Sequence, residues 1–361
     1  MRLLLTIYCL LTATLLWADD SLVLQSPQRQ LQATLFLHKG NLMYRLQAGK
    51  EVLVGASSLG LAFDNRAIGI NSQNLKMVRQ YQINEKGPSR LNNNTAFNHC
   101  TVYIVAIQGD QVVDTIERRL FNNGFAFRYM PIGIDRRQVI EELTSFALPA
   151  ASTVWYSERN SEWKLKSYAG LWLSTAVEKL PGISSQGPIQ GKPLVVELPT
   201  KKYIVVTEAA LYNYSGMRLK AIGNNTVQVN FTEGTAGFAV KGTMKTPWRV
   251  VLYAHNLQQL VNSQVIENLN PAPDIHLFAE TSYIQPGKSV WSWITRNEHY
   301  MEPAEEIKCI DAAAALQFEY TLLDEGWETK WPHKWQQLKE LLPICCTKES
   351  GRLGVETFQR H

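Results

Sequence analysis

Asp324 and Glu325 stand side by side where the apolar stretch Phe318–Leu323 ends, directly before Gly326-Trp327. Adjacent carboxylates at the end of a strand suit hydrogen bonding to a polar substrate. In (β/α)8 barrels the C-terminal strand ends are where chemistry occurs. Trp291 and Trp293 lie two apart in a second apolar stretch, Val290 to Ile294. On a strand that spacing points both to one side, where they would stack on a sugar or fill a core, and core is the expected role. The vicinal pair Cys345-Cys346 has the composition of a redox pair or metal ligands, but no cluster of further Cys or His accompanies it. Cys9, Cys100 and Cys309 complete the five cysteines, and their spacing sets no disulfide framework or zinc site.

These residues must be positioned by the rest of a 361-residue chain, a length suited to two domains. It is 45% hydrophobic and 19% charged, a globular mix rather than a disordered one. A net charge of +4 without a long basic run excludes nucleic acid as a first reading. Residues 1–18 read as a secretory signal: Arg2, the apolar run Leu3–Leu16, then Ala18 before Asp19-Asp20. The expectation is a secreted or periplasmic protein with no membrane association after signal removal.

Residues 19–283 read as an antiparallel β-sandwich. Leu31, Ala33, Leu35 and Leu37 alternate with Gln32, Thr34 and Phe36, and the turn His38-Lys39-Gly40-Asn41 precedes a second alternation at Leu42, Tyr44 and Leu46. Asn122-Asn123-Gly124 signals another turn, followed by Phe125, Phe127 and Tyr129 on one face. Tyr203–Val206 and Val227–Phe231 repeat the style, and a weak helical period covers Asn256–Asn262. Many short strands with turn signals make a sandwich.

From residue 284 the pattern becomes β-α-β-α. Pro303 opens a helix with Glu305 and Glu306 near its positive end and Ile307, Ile310 and Ala314 as its buried stripe. Lys334–Leu342 reads as a second helix. The fold class is therefore mainly β, an N-terminal antiparallel sandwich followed over 284–342 by an incomplete (β/α)8 barrel of about two βα units.

Five strings, in order, resemble glycoside hydrolase family 97. They are Leu24-Gln25-Ser26-Pro27, Asn123 to Tyr129, Thr207-Glu208-Ala209-Ala210-Leu211-Tyr212-Asn213-Tyr214, Thr246-Pro247-Trp248-Arg249 and Asp324-Glu325-Gly326-Trp327. The resemblance implies a super-sandwich joined to a catalytic barrel, exo-acting hydrolysis of α-glycosides by α-glucosidases or α-galactosidases, and a calcium ion near the reacting sugar. It implies that Glu162, in Arg159-Asn160-Ser161-Glu162-Trp163, reaches calcium, and that a loop with Ser184 and Ser185 touches substrate. Trp291, Asp324 and Glu325 are further expected substrate contacts. Glu208 reads as structural, flanked by Val205, Val206 and Leu211.

The resemblance places the catalytic carboxylates on later barrel strands, so no catalytic residue is assigned in this chain and inactivity is expected. Residues 343–361 are expected to be out of frame. Read one base later, permissible codons give an apolar strand that resembles the family's next segment, which would leave Cys345 and Cys346 without function. The partner is an oligosaccharide or α-glycoside substrate. The alternative is a non-catalytic carbohydrate-binding β-sandwich protein.

Overall fold

The computed structural model describes residues 21–87, 96–109, 112–133, 136–158, 171–182, 189–231, 236–242, 244–294, 302–347 and 352–355. The expected signal at 1–18, with Glu162, Ser184 and Ser185, lies outside them. The chain divides into two compact units, Met1–Ala272 and Pro273–His361.

In the first unit every described strand pairing is antiparallel. One sheet has nine strands, in the order Leu171–Ala176, Thr153–Glu158, Leu194–Glu197, Tyr203–Ala209, Trp248–Ala254, Gly124–Met130, Val113–Phe121, Ala96–Gln108 and Asn74–Gly87. A four-stranded meander of Ser21–Gln25, Gln32–His38, Asn41–Ala48 and Glu51–Ser58 supplies another layer. Its hairpin turns on Lys39 and Gly40, at φ 50° and 76°. Two left-handed residues match the right-handed twist of the flanking strands. The expected alternation is realised: Ala33, Leu35, Leu42, Tyr44 and Leu46 are fully buried. Tyr44 meets Phe125 and Phe127 of the larger sheet at ring separations of 5.8 and 5.6 Å. These inward faces form the main core.

The Trp248–Ala254 strand is buried at all seven positions. Its second face packs Trp248, Val250 and Leu252 against Val265 and Leu269. A strand covered on both sides reads as a continuous apolar run. The helix Leu257–Val261 begins at Asn256, whose side chain accepts the Gln259 N–H at 2.9 Å. The helix Val265–Leu269, invisible to periodicity at five residues, completes the cover.

One residue interrupts the apolar run. Arg249 is fully buried and lies directly opposite Glu208 on the neighbouring strand. Its Nη1 donates to Glu208 Oε2 at 2.6 Å, while Nε and Nη2 donate to Glu142 at 2.8 and 2.6 Å. Glu208 also accepts the Met217 N–H at 3.2 Å and pairs with Lys192. The structural reading of Glu208 fits this network.

One carboxylate thus serves two cations. Burial, and then the nearby Arg249 guanidinium, pull Lys192 from its ordinary 10.5 down to about 7. Below that value folded and unfolded chains both hold the proton. Above it the folded chain releases it first, so stability rises with pH until the unfolded lysine also titrates. We expect unfolding free energy to climb between about pH 7.5 and 9.5, by up to about 1.4 kcal/mol per unit. Lys192→Met should flatten that slope in urea titrations across the window. An equal slope in the variant would reject the assignment.

The second unit has three parallel strands, Ser289–Trp291, Tyr320–Leu323 and Arg352–Val355. Pro303–Leu316 connects the first two, and Trp327–Lys330 and Lys334–Thr347 the second and third. Ile310, Leu323, Trp327, Trp331 and Leu341 form its core. The helical stripe is Glu306, Ile310 and Ala313, with Ile307 packed beside it, rather than the expected Ala314. At 100° per residue Ala313 lies within about 20° of Glu306, so the buried stripe centres between Glu306 and Ile310 and leaves Ala314 toward its margin. The expectation that strand–helix alternation stops at Leu342 is corrected. The helix runs through Pro343 to Thr347, and Arg352–Val355 pairs with Tyr320–Leu323 in register. Four residues bounded by Gly351 and Glu356 suffice for one strand when an existing edge offers the hydrogen bonds.

Candidate functional site

The second unit gathers three of the expected contacts at one end of its parallel sheet. Ser289–Trp291 and Tyr320–Leu323 pair in register, with Trp291 opposite Leu322. Parallel pairing brings the C-terminal ends of both strands to the same edge, so Trp291 and Asp324 become neighbours although 33 residues separate them. The Trp291 indole Nε1 donates to Asp324 Oδ2 at 3.1 Å. The other carboxylate oxygen, Oδ1, accepts the Glu325 backbone N–H at 2.7 Å. The chain then turns sharply through Gly326, whose φ of 111° favours glycine. Gly326 N–H donates to the Glu328 side chain at 3.0 Å. Trp327 anchors the turn from below, buried in the core.

Trp291 and Trp293 differ from expectation. The strand ends at Trp291, and Trp293 belongs to the 3-10 turn Ser292–Ile294. Trp291 is half-buried and Trp293 is 42% exposed, so neither fills a core. Their rings still stack, with centroids 6.4 Å apart and planes at 20°. The turn rotates Trp293 over its neighbour instead of extending the pleat.

The edge therefore carries indole faces, a half-buried carboxylate held by two hydrogen bonds, and the exposed Glu325. Indoles lie against the C–H face of a sugar, and carboxylates accept from its hydroxyls. The arrangement lacks the layout of acid–base cleavage. Asp324 and Glu325 are consecutive on one strand end, whereas glycoside hydrolysis places two carboxyl groups about 5–9.5 Å apart on either side of the scissile bond. The missed feature was the Trp291–Asp324 bond. The β-α-β spacing held the signal, since it sends both strand ends to one side.

Calcium takes six to eight oxygen ligands. Among the described residues no three His, Cys, Asp or Glu side chains converge in a way that could hold a metal. Those residues alone do not fit the ion. Of the cysteines, neither Cys100 nor Cys309 forms a disulfide, and burial pushes the Cys100 thiol up to about 12. Cys100 is an inert core residue. Cys345 and Cys346 fall on the last helix.

Comparisons with known proteins fit this architecture. The chain is 23% identical over 396 aligned positions to a retaining alpha-galactosidase of Bacteroides thetaiotaomicron, covering 98% of this chain and 58% of that protein. It is 25% identical to a probable retaining alpha-galactosidase of Streptomyces bingchenggensis, over 67% of this chain and 37% of the relative. Among solved structures, a beta-arabinopyranosidase superposes with a TM-score of 0.78 at 21% identity, covering 92% of this chain and 55% of that one. A Glycoside Hydrolase Family 97 enzyme from Pseudoalteromonas sp. strain K8, in complex with acarbose, superposes with a TM-score of 0.74 at 20% identity, covering 92% and 53%. The chain thus spans little more than half the length of the first of these relatives. The family model for the glycosyl-hydrolase 97 N-terminal domain matches residues 24–272, most of the chain, and by that match the protein belongs to glycoside hydrolase family 97.

Proposed function

We propose that this chain is the N-terminal, sugar-contacting part of a glycoside hydrolase for α-glycosides, of the α-glucosidase or α-galactosidase type, and that it has no hydrolytic activity as given. In this reading the second unit is the start of a (β/α)8 barrel. Trp291 and Asp324 present a stacking face and a fixed hydroxyl acceptor, with Glu325 beside them. The single observation that carries the assignment is the Trp291–Asp324 bond at the C-terminal strand ends of a family 97 chain. The retaining alpha-galactosidases support the substrate class by their names. Glu162 supplies one carboxylate to calcium in the same reading, with the remaining ligands drawn from elsewhere, and Ser184 lines the substrate loop. The protein acts after export, in the periplasm or outside the cell.

Saturation-transfer NMR with methyl α-galactoside and maltose, with and without calcium, tests the contact. We expect transfer to the sugar ring protons in the native chain. Trp291→Ala should remove most of it, and Asp324→Asn should weaken it. Undiminished transfer in Trp291→Ala would sink the site assignment.

A further inference from the structure

Six carboxamide side chains line one small cavity of the first unit, with a volume of about 270 Å³. Gln28 comes from the turn after the first strand, and Asn122 and Asn123 from the hairpin turn after Val113–Phe121. Asn262, Gln264 and Asn268 come from the segment that carries the two short helices. These three stretches are far apart in sequence, and their polar groups tie them together. The Gln28 backbone N–H donates to Asn122 Oδ1 at 3.0 Å. Asn123 Nδ2 donates to Ser263 Oγ at 3.4 Å. The Tyr253 N–H donates to the Asn123 carbonyl at 2.9 Å, which fixes the hairpin turn on the neighbouring strand. Gly124 completes the seating. A Cβ there would meet Val265 Cγ2 at 3.0 Å, so the missing side chain lets the second helix close on the hairpin.

The lining has a definite chemistry. Among the described residues no Asp, Glu, Lys or Arg side chain takes part in it, and His99 is its one titratable group. Phe121 and Val265 supply its apolar part, both packed in the second core. The amides keep capacity that the protein does not use. Asn122 spends its side-chain oxygen on Gln28, and Gln28 spends its own on Gln30 at 3.3 Å. Asn262 spends its nitrogen on the Gln258 carbonyl at 2.7 Å. Among the described residues, the nitrogens of Gln28 and Asn122 and the oxygen of Asn262 have no other partner. Donors and acceptors thus stand together around apolar carbon, with no permanent charge.

We propose that this cavity binds one ring of a neutral sugar. Each hydroxyl of a pyranose both donates and accepts, and a carboxamide does the same. The ring's C–H groups match Phe121 and Val265. A phosphate or carboxylate would find no lysine or arginine, and a hard metal ion would find no carboxylate. A wholly apolar ligand would strand the amides. The volume lies just below the range of about 300–1,000 Å³ that suits drug-sized ligands, which leaves room for one ring rather than a chain. The inference rests on the reading that the chain handles carbohydrate, but it uses none of Trp291, Asp324 and Glu325. Hydrogen bonds exchanged with water around a single ring give millimolar affinity. The cavity therefore contributes only the minor saturation transfer that Trp291→Ala leaves.

Amide-detected NMR titration of the full chain tests it, with galactose, glucose, glucuronate and glycerol as ligands and EDTA present. We expect saturable shifts of the Asn122 and Asn262 side-chain amides and the Val265 N–H with both hexoses. Glucuronate and glycerol should move them little. Asn122→Asp keeps the oxygen that holds Gln28 but removes the donor, and Gln28→Glu does the same toward Gln30. Each should weaken the hexose response at Asn262 and Val265 about tenfold, and the double variant should abolish it. Thermal melts should stay within a few degrees, because the retained oxygens keep their partners. Trp291→Ala should leave the cavity response intact while removing that of the Glu325 N–H. No saturable hexose shift at the cavity overturns the proposal, and a Trp291 indole N–H that still responds would then uphold the strand-end site alone. Cavity shifts that persist in the double variant, or that glycerol or glucuronate matches, also overturn it. Cavity shifts without any response at Trp291 would uphold this site and sink the strand-end one.

Discussion

Arg249→Met should destabilise the first unit by about 3–5 kcal/mol, the cost of leaving buried charges unpaired. Arg249 is fully buried, and it is the hydrogen-bonding partner of two carboxylates that are themselves nearly inaccessible. Methionine fills similar length but donates nothing. Among the described residues Glu142 would then keep only the 3.4 Å contact from the Tyr214 hydroxyl, while Glu208 would retain Lys192 and the Met217 N–H. The damage is therefore concentrated on Glu142. This makes the effect directional: adding Glu142→Leu to Arg249→Met should recover part of the loss, because the stranded charge is removed with its partner. A domain stabilised by about 5–15 kcal/mol would fall to marginal stability in the single variant. Urea unfolding midpoints, read with the soluble fraction on expression, measure it. A single variant within about 1 kcal/mol of wild type would show that the network contributes little.

That network also explains why the family resemblance was legible while its meaning was not. Three of the five recognisable strings fall on adjacent strands of one sheet: Gly124–Met130, Trp248–Ala254 and Tyr203–Ala209. Phe127 pairs with Arg249, which pairs in turn with Glu208. The strings mark a packed and charge-satisfied centre, so they announce the fold rather than the reaction. Leu24-Gln25-Ser26-Pro27 behaves the same way. Leu24 is buried, and the Ser26 hydroxyl accepts the Leu31 N–H at 3.0 Å.

Alternation along one strand is a local property, and it placed Ala33, Leu35, Phe125, Phe127 and Tyr129 inward correctly. Sheet order is not local. Nothing in the spacing of residues 203–209 says that their neighbours are 194–197 on one side and 248–254 on the other. The Trp291–Asp324 bond needs the parallel register on top of the β-α-β spacing that sends both strand ends to one side. Trp293 failed for a different reason. Period-two reasoning assumes that the strand continues, and here the backbone turns after Trp291. Glu162 and Ser184 lie outside the described residues.

The chain as given should release no nitrophenol from 4-nitrophenyl α-galactoside or α-glucoside above the buffer rate. Enzymes of this chemistry lower barriers by many kcal/mol, and most of that requires two carboxyl groups placed across the glycosidic bond. At the strand-end edge the described carboxylates of the loop are Asp324, Glu325 and Glu328, all within five residues of one strand end. Asp324 is held in place by hydrogen bonds from Trp291 and the Glu325 N–H, which fix its orientation at the strand end. Glu328 caps the turn at Gly326. Groups held in this way orient a sugar; they do not flank it. Discontinuous assays with Asp324→Asn and Glu325→Gln beside the native chain decide the matter. Turnover by the native chain that either substitution abolishes would make this edge a catalytic centre and overturn the inactivity. Turnover equal in all three that survives a further purification step would overturn the inactivity and place the reaction away from Asp324 and Glu325.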